Sequence, residues 1–144
     1  MKYLRILFFL LFLSCTPEKP INDMVGNYTS AKMDRVERLY YKLGFGVNST
    51  IIKTELSLKK NATFYFETCG VKTRGKWKVK DDLLILNVEQ GKFKNDSLAR
   101  IKKFNIKERK ELFQFHIEKN KLFAIVPNSD GRKSILLLKK QKQS

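Results

Sequence analysis

From Gly26 onward the chain is written as short runs in which apolar and polar residues alternate, separated by turn residues. A period of two is the signature of strands with one buried face. Gly26-Asn27-Tyr28-Thr29-Ser30 opens the series. Ile52, Thr54, Leu56 and Leu58 then share one face, and Lys53, Glu55, Ser57 and Lys59 share the other. Lys60-Asn61-Ala62 predicts a tight turn into Thr63–Cys69, with Phe64 and Phe66 in phase. Gly75–Lys80 sets Trp77 and Val79 against Lys76, Lys78 and Lys80, and Asp81-Asp82 turns the chain into Leu83–Val88. A polar loop is expected over Glu89–Ala99. Strands follow at Ile101–Lys107, Leu112–Glu118, Lys121–Val126 and Ser134–Lys140, with turns at Lys119-Asn120 and Pro127–Arg132.

One segment departs from this period. Met33, Val36, Leu39, Tyr40 and Leu43 recur at spacings of three and four, which predicts a short amphipathic helix over Asp34–Leu43. Asp34 and Glu37 suit a capping box, and Gly44 suits a stop. Tyr40-Tyr41 is also β-prone, so a strand is the alternative. The whole pattern predicts an all-β domain of about eight or nine short strands with one short helix near its N-terminus. Such a meander disposes of its open edges by closing into an antiparallel barrel or by forming a two-sheet sandwich. There is no internal repeat, phosphate loop or dinucleotide fingerprint.

The first residues follow a different logic. Lys2 and Arg5 precede Ile6–Leu13, an unbroken apolar run of eight residues. A bilayer-spanning helix needs about 20, whereas a signal-peptide core needs only this many. Ser14 and Cys15 follow directly, and this stretch holds no Ala-x-Ala-like cleavage site. A small residue before a cysteine at the end of an apolar core resembles the lipobox of bacterial lipoproteins, although Phe12 and Leu13 stand where Leu and a small residue are commoner. The resemblance implies a signal peptide over residues 1–14, cleavage before Cys15, and acylation of Cys15 with palmitate-class chains. Several acyl chains on one residue anchor a protein stably. Residues 15–23 then form the lipidated cysteine and a Pro-containing tether, and residues 24–144 form the β domain. Thr16, not Asp, follows the cysteine, which by the same resemblance implies the outer membrane, facing the periplasm.

Composition narrows the partners. Among 144 residues, 30 are Lys or Arg and 14 are Asp or Glu; loss of Lys2 and Arg5 with the signal lowers the net charge from +16 to +14. Such a charge attracts anionic surfaces, lipid headgroups included. The lysines are scattered and arginine is scarce, so a phosphate-reading surface is not indicated and no nucleic-acid partner is expected. One His and two Cys exclude a zinc cluster built from them, and no cofactor is expected. Acylation of Cys15 leaves Cys69 as a lone thiol, expected to be buried as a small hydrophobe beside its strand.

Gly26-Asn27-Tyr28, Leu56-Ser57-Leu58 leading through Lys60-Asn61 to Thr63-Phe64, Gly75-Lys76-Trp77, Leu84 with Leu86, and Leu138-Lys139 together resemble the lipocalin-like domains of small bacterial envelope lipoproteins. Tyr28 stands where true lipocalins open with Gly-x-Trp. The resemblance implies an up-and-down barrel and a non-catalytic binding module for a small apolar or amphipathic ligand, or for an envelope protein. Trp77, Phe64, Phe66 and Tyr28 are the candidate ligand-facing residues. A hydrolase using His116 or scattered carboxylates, such as Glu55 with Glu67, is the alternative, as is an inhibitor or assembly factor acting from the barrel rim. Asp81-Asp82 reads as a turn before it reads as a cation site. Asp96-Ser97-Leu98 is similar to an envelope O-glycosylation site, which makes Ser97 a candidate acceptor.

Overall fold

A computed structural model describes residues 21–51, 53–95, 100, 113–128 and 130–142. A single helical turn, α1 (Ile21–Met24), leads into β1 (Gly26–Ser30). Helix α2 (Arg35–Phe45) and β2 (Val47–Thr50) come next. The remaining strands are β3 (Glu55–Leu58), β4 (Thr63–Glu67), β5 (Val71–Lys80), β6 (Leu83–Phe93), β7 (Gln114–Glu118), β8 (Lys121–Pro127) and β9 (Lys133–Lys140).

Eight of these strands, β1 and β3 to β9, pair antiparallel in sequence order, and β9 returns to β1, closing an up-and-down barrel. Closure removes the open edges that such a meander would otherwise expose. The seam is shared. β1 pairs only with the far end of β9, Tyr28 opposite Lys140 and Ser30 opposite Leu138. There the chain leaves the barrel wall, forms α2, and returns as β2, which runs parallel to the first part of β9 with Thr50 opposite Ile135.

Alternation sorts the side chains. Met24, Tyr28, Leu56, Leu58, Phe64, Phe66, Trp77, Leu84, Leu86, Phe113, Phe115, Ile117, Leu122, Ala124, Leu136 and Leu138 form one buried interior cluster. Ile135 and Leu137 point the other way, into a smaller outer cluster with Met33, Tyr41 and Val47. This explains the Ile-Leu-Leu-Leu run of β9: both faces of that strand are covered, so its alternation is lost.

Several expectations are corrected. The helix runs two residues past its predicted end: Gly44 lies inside it, and Gly46, in the left-handed region at φ 64°, ends it. The Asp34–Glu37 capping box is present. The residues read as polar loop after Val88 instead continue β6 to Phe93, paired with Val71–Arg74. Cys69 is exposed, because β4 ends at Glu67 and Thr68–Gly70 form the turn into β5. β2 carries no period the sequence reading could use, and its pairing is with a strand more than eighty residues away. Residues Ile21–Asp23, assigned to the tether by composition, belong to α1. The strand expected at 101–107 lies outside the described residues.

Candidate functional site

Trp77, Phe64, Phe66 and Tyr28 all point into the barrel, and each is at most 3% exposed. Gly75 precedes Trp77 on the same face and allows β6 to close on β5, where a Cβ would lie 2.0 Å from the Asn87 carbonyl oxygen. The indole Nε1 donates to the Lys59 carbonyl at 3.1 Å, and Phe66 meets Phe113 and Phe115 edge-on at 6.1 and 5.9 Å between centroids. The Tyr28 hydroxyl donates to the Met24 carbonyl at 2.8 Å, and burial pushes its pKa up to about 12. Each polar tip has a partner within the chain, as buried Tyr and Trp require. The four candidate residues are thus brought together, packed on one another and on the rest of the interior cluster.

The described concavities are on the outside. The larger, about 430 Å³, lies over β4–β6 and is lined by Tyr65, Lys72, Thr73, Arg74, Gln90, Gly91 and Lys92. Tyr65 and Arg74 also wall a neighbouring hollow of about 350 Å³ that runs toward Lys59 and Glu89. Local strand order makes this surface. Tyr65 and Arg74 are cross-strand partners on the outward face, as are Arg74 and Gln90. The Arg74 Nε donates to Gln90 Oε1 at 2.7 Å, a neutral acceptor that leaves the guanidinium charge in place. Glu67 is the acid beside it: Lys94 donates to it at 2.6 Å, Tyr65 donates at 2.5 Å, and Lys72 lies 3.4 Å away. The Lys94 bond, then the Tyr65 bond, lower its pKa to about 2. Glu55 faces Glu67 across β3–β4, as the strand reading allowed, but Glu67 is engaged by cations. The cleft is therefore a cationic surface with one aromatic wall and one neutralised acid.

A third hollow, about 260 Å³, sits between α2 and the β7–β8 hairpin. It collects His116, Asp82, Glu118 and Tyr41 among the rings of Tyr40, Phe45 and Phe123. His116 stacks on Phe123 at 5.1 Å, and the Tyr41 hydroxyl donates to Glu118 at 3.4 Å. Burial, then the Glu118 carboxylate, raise the Tyr41 pKa to about 12. Among the described residues no group of three or more His, Cys, Asp or Glu side chains is placed to hold a metal ion. Asp81 is a turn residue at φ 55°. Cys15 and Ser97 lie outside the described residues.

The outer cleft was not legible in the sequence because Lys72 and Arg74 fell between the expected strands and Gln90–Lys92 in an expected loop, whereas β5 begins at Val71 and β6 runs to Phe93. In comparisons with known proteins, no family model, no curated protein and no solved structure matches the chain.

Proposed function

We propose that this chain is a lipid-anchored, lipocalin-like envelope protein whose barrel is a rigid, non-catalytic scaffold that binds a protein partner on its outer wall. The partner presents acidic groups to the cleft walled by Tyr65, Lys72, Arg74 and Lys92. One observation carries the choice of the outer wall: the inward residues that a carrier would use for its ligand are packed against each other, with Trp77 only 3% exposed and hydrogen-bonded to Lys59. A carrier needs an apolar cavity of several hundred Å³, and the described hollows of that size open outside the barrel. The cations of the cleft speed encounter with an acidic surface and fix its register, while Tyr65, 38% exposed, supplies the kind of aromatic contact that anchors interfaces.

A photo-crosslinking side chain placed at Tyr65 in cells captures a protein, and reversing charge at Lys72, Arg74 and Lys92 abolishes the adduct while leaving the fold intact. Titration of the purified protein with fatty acids and lysolipids leaves Trp77 emission unmoved. A saturable shift in that emission, with no adduct at Tyr65, refutes the scaffold reading in favour of a carrier. The anchor is tested separately: Cys15→Ser abolishes fatty-acid labelling and releases the protein from membranes, and labelling that persists refutes it.

A further inference from the structure

Helix α2 faces the wrong way for a helix whose apolar stripe serves only the fold. Val36, Leu39, Tyr40 and Leu43 follow the i, i+3, i+4, i+7 spacing of one helical face. They are 79, 57, 63 and 77% exposed. The helix is held to the barrel instead by Tyr41, buried in the outer cluster, and by Glu37, which is paired with Lys121 and lies 3.6 Å from Lys139. These contacts, to neighbouring strands on one side of the barrel, lock the rotation of α2 with its stripe outward. Arg35 and Lys42, both exposed, border one side of that stripe, exposed Arg38 lies further round on the same side, and Glu37, the one acid of the helix, is already engaged.

The position of α2 on the barrel matters as much as its composition. Lys139 and Lys140 are successive residues of β9. Lys139 reaches the first turn of α2, and Lys140 donates to the Asp23 carbonyl in α1 at 2.6 Å. The start of α2 and the point where the N-terminal segment joins the domain are therefore at the same end of the barrel. Five residues, Thr16–Pro20, separate Cys15 from α1. Whatever their conformation, they reach no further than about 20 Å.

We infer that α2 lies in the membrane–water interface, with Val36, Leu39, Tyr40 and Leu43 in the headgroup–acyl boundary and Arg35, Arg38 and Lys42 on anionic headgroups. The inference rests on the proposed anchor at Cys15, which brings the bilayer within reach of this end of the barrel. Interfacial helices combine an apolar stripe with flanking Lys and Arg in this way, and each cation near an anionic leaflet adds to the attraction. A second copy of the chain is a poor occupant, because it would bring the same cationic border against itself. The helix is only eleven residues long, so its own grip is modest. Its role is to orient the anchored barrel, which turns the opposite wall, β4–β6, away from the lipid.

The test uses the full chain with Cys69→Ser, reconstituted in vesicles of phosphatidylcholine alone or mixed with phosphatidylglycerol. An environment-sensitive thiol probe is attached through Val36→Cys or Leu43→Cys, and through Lys78→Cys on the outer face of β5 as the reference. Spin-labelled lipids are expected to quench the α2 probes several-fold more than the Lys78 probe, and more in anionic than in neutral vesicles. Replacing Arg35, Arg38 and Lys42 with Gln should erase the difference between the two lipids. Quenching at Val36 and Leu43 no greater than at Lys78 overturns the inference. So does a blue-shifted α2 probe that spin-labelled lipid does not quench, which would mean that protein covers the stripe. Mass spectrometry of the same reconstituted chain reads acylation at Cys15, so a failed anchor and a failed helix contact give different results.

Discussion

The same substitution at two glycines should move stability in opposite directions. At Gly75 the β5–β6 register slips by one residue: Arg74 pairs with Gln90, but Gly75 pairs with Val88, which leaves Glu89 as an extra residue on β6. Such a bulge bends the bulged strand and increases its local twist. A Cβ on residue 75 would lie 2.0 Å from the Asn87 carbonyl oxygen and 2.8 Å from the Glu89 nitrogen, both main-chain atoms. Restoring ordinary contact distances requires the strands to part by about 1 Å at a buried position, against the close packing of the interior. Overpacking of this kind costs roughly 1–3 kcal/mol, and one or two weakened ladder bonds add about 1 kcal/mol each. The stiffer unfolded chain returns about 0.5 kcal/mol, so Gly75→Ala should cost about 3 kcal/mol. Gly44 lies inside α2, and nothing comes within 4 Å of its missing Cβ. There Gly44→Ala should stabilise by about 0.5–1 kcal/mol. Thermal unfolding followed by circular dichroism should show a midpoint lowered by roughly 10 °C for the first variant and raised by a few degrees for the second. Equal shifts of the same sign, or a Gly75→Ala midpoint within a degree or two of the parent, would refute the close-approach argument.

Two further outcomes follow from named contacts. Trp77→Ala removes the buried indole and its bond to Lys59 and should cost about 3–5 kcal/mol in urea unfolding; a loss under 1 kcal/mol would contradict the interior packing. The parent protein should show blue-shifted tryptophan emission. Glu67, whose pKa is lowered from 4.5 to about 2, contributes stability that is fully present above about pH 4.5 and is lost as pH falls through about 2. Being at the surface, its ion pairs are worth only about 1 kcal/mol, so Glu67→Gln should be slightly less stable than the parent at pH 7 and indistinguishable from it near pH 2. A gap that widens on acidification would reverse the assignment.

Strand phase was legible wherever one face met a core and the other met water. Trp77 among Lys76 and Lys78, Phe64 and Phe66 around Tyr65, and Phe115 beside His116 all sit on the faces their alternation indicates. Turn positions were legible too, including Ala62 at φ 58° between β3 and β4, where composition argued for glycine. Tyr28, Phe64, Phe66 and Trp77 are all buried in the interior cluster, and it is that burial that directs attention to the outer wall.

Periodicity along a chain is a local property, and it records that a face is apolar without recording what covers it. For α2 the sequence favoured a helix over a strand and showed its capping box and its stripe. Tertiary structure decided that the stripe faces outward, because Tyr41 reaches Glu118 and Glu37 reaches Lys121 and Lys139 from elements that are distant in the chain. The exposure of Cys69 was settled by where β4 stops, and the strand character of Glu89–Phe93 by the presence of Val71–Arg74 opposite. The closure of β9 on β1, the handover of that seam to β2, and the meeting of Tyr65, Arg74 and Gln90 over one cleft likewise belong to the fold. The physical reason is common to all of them. Hydrogen-bond pairing between strands depends on main-chain groups that every residue carries, so sequence specifies which face is buried far more sharply than which strand lies beside it.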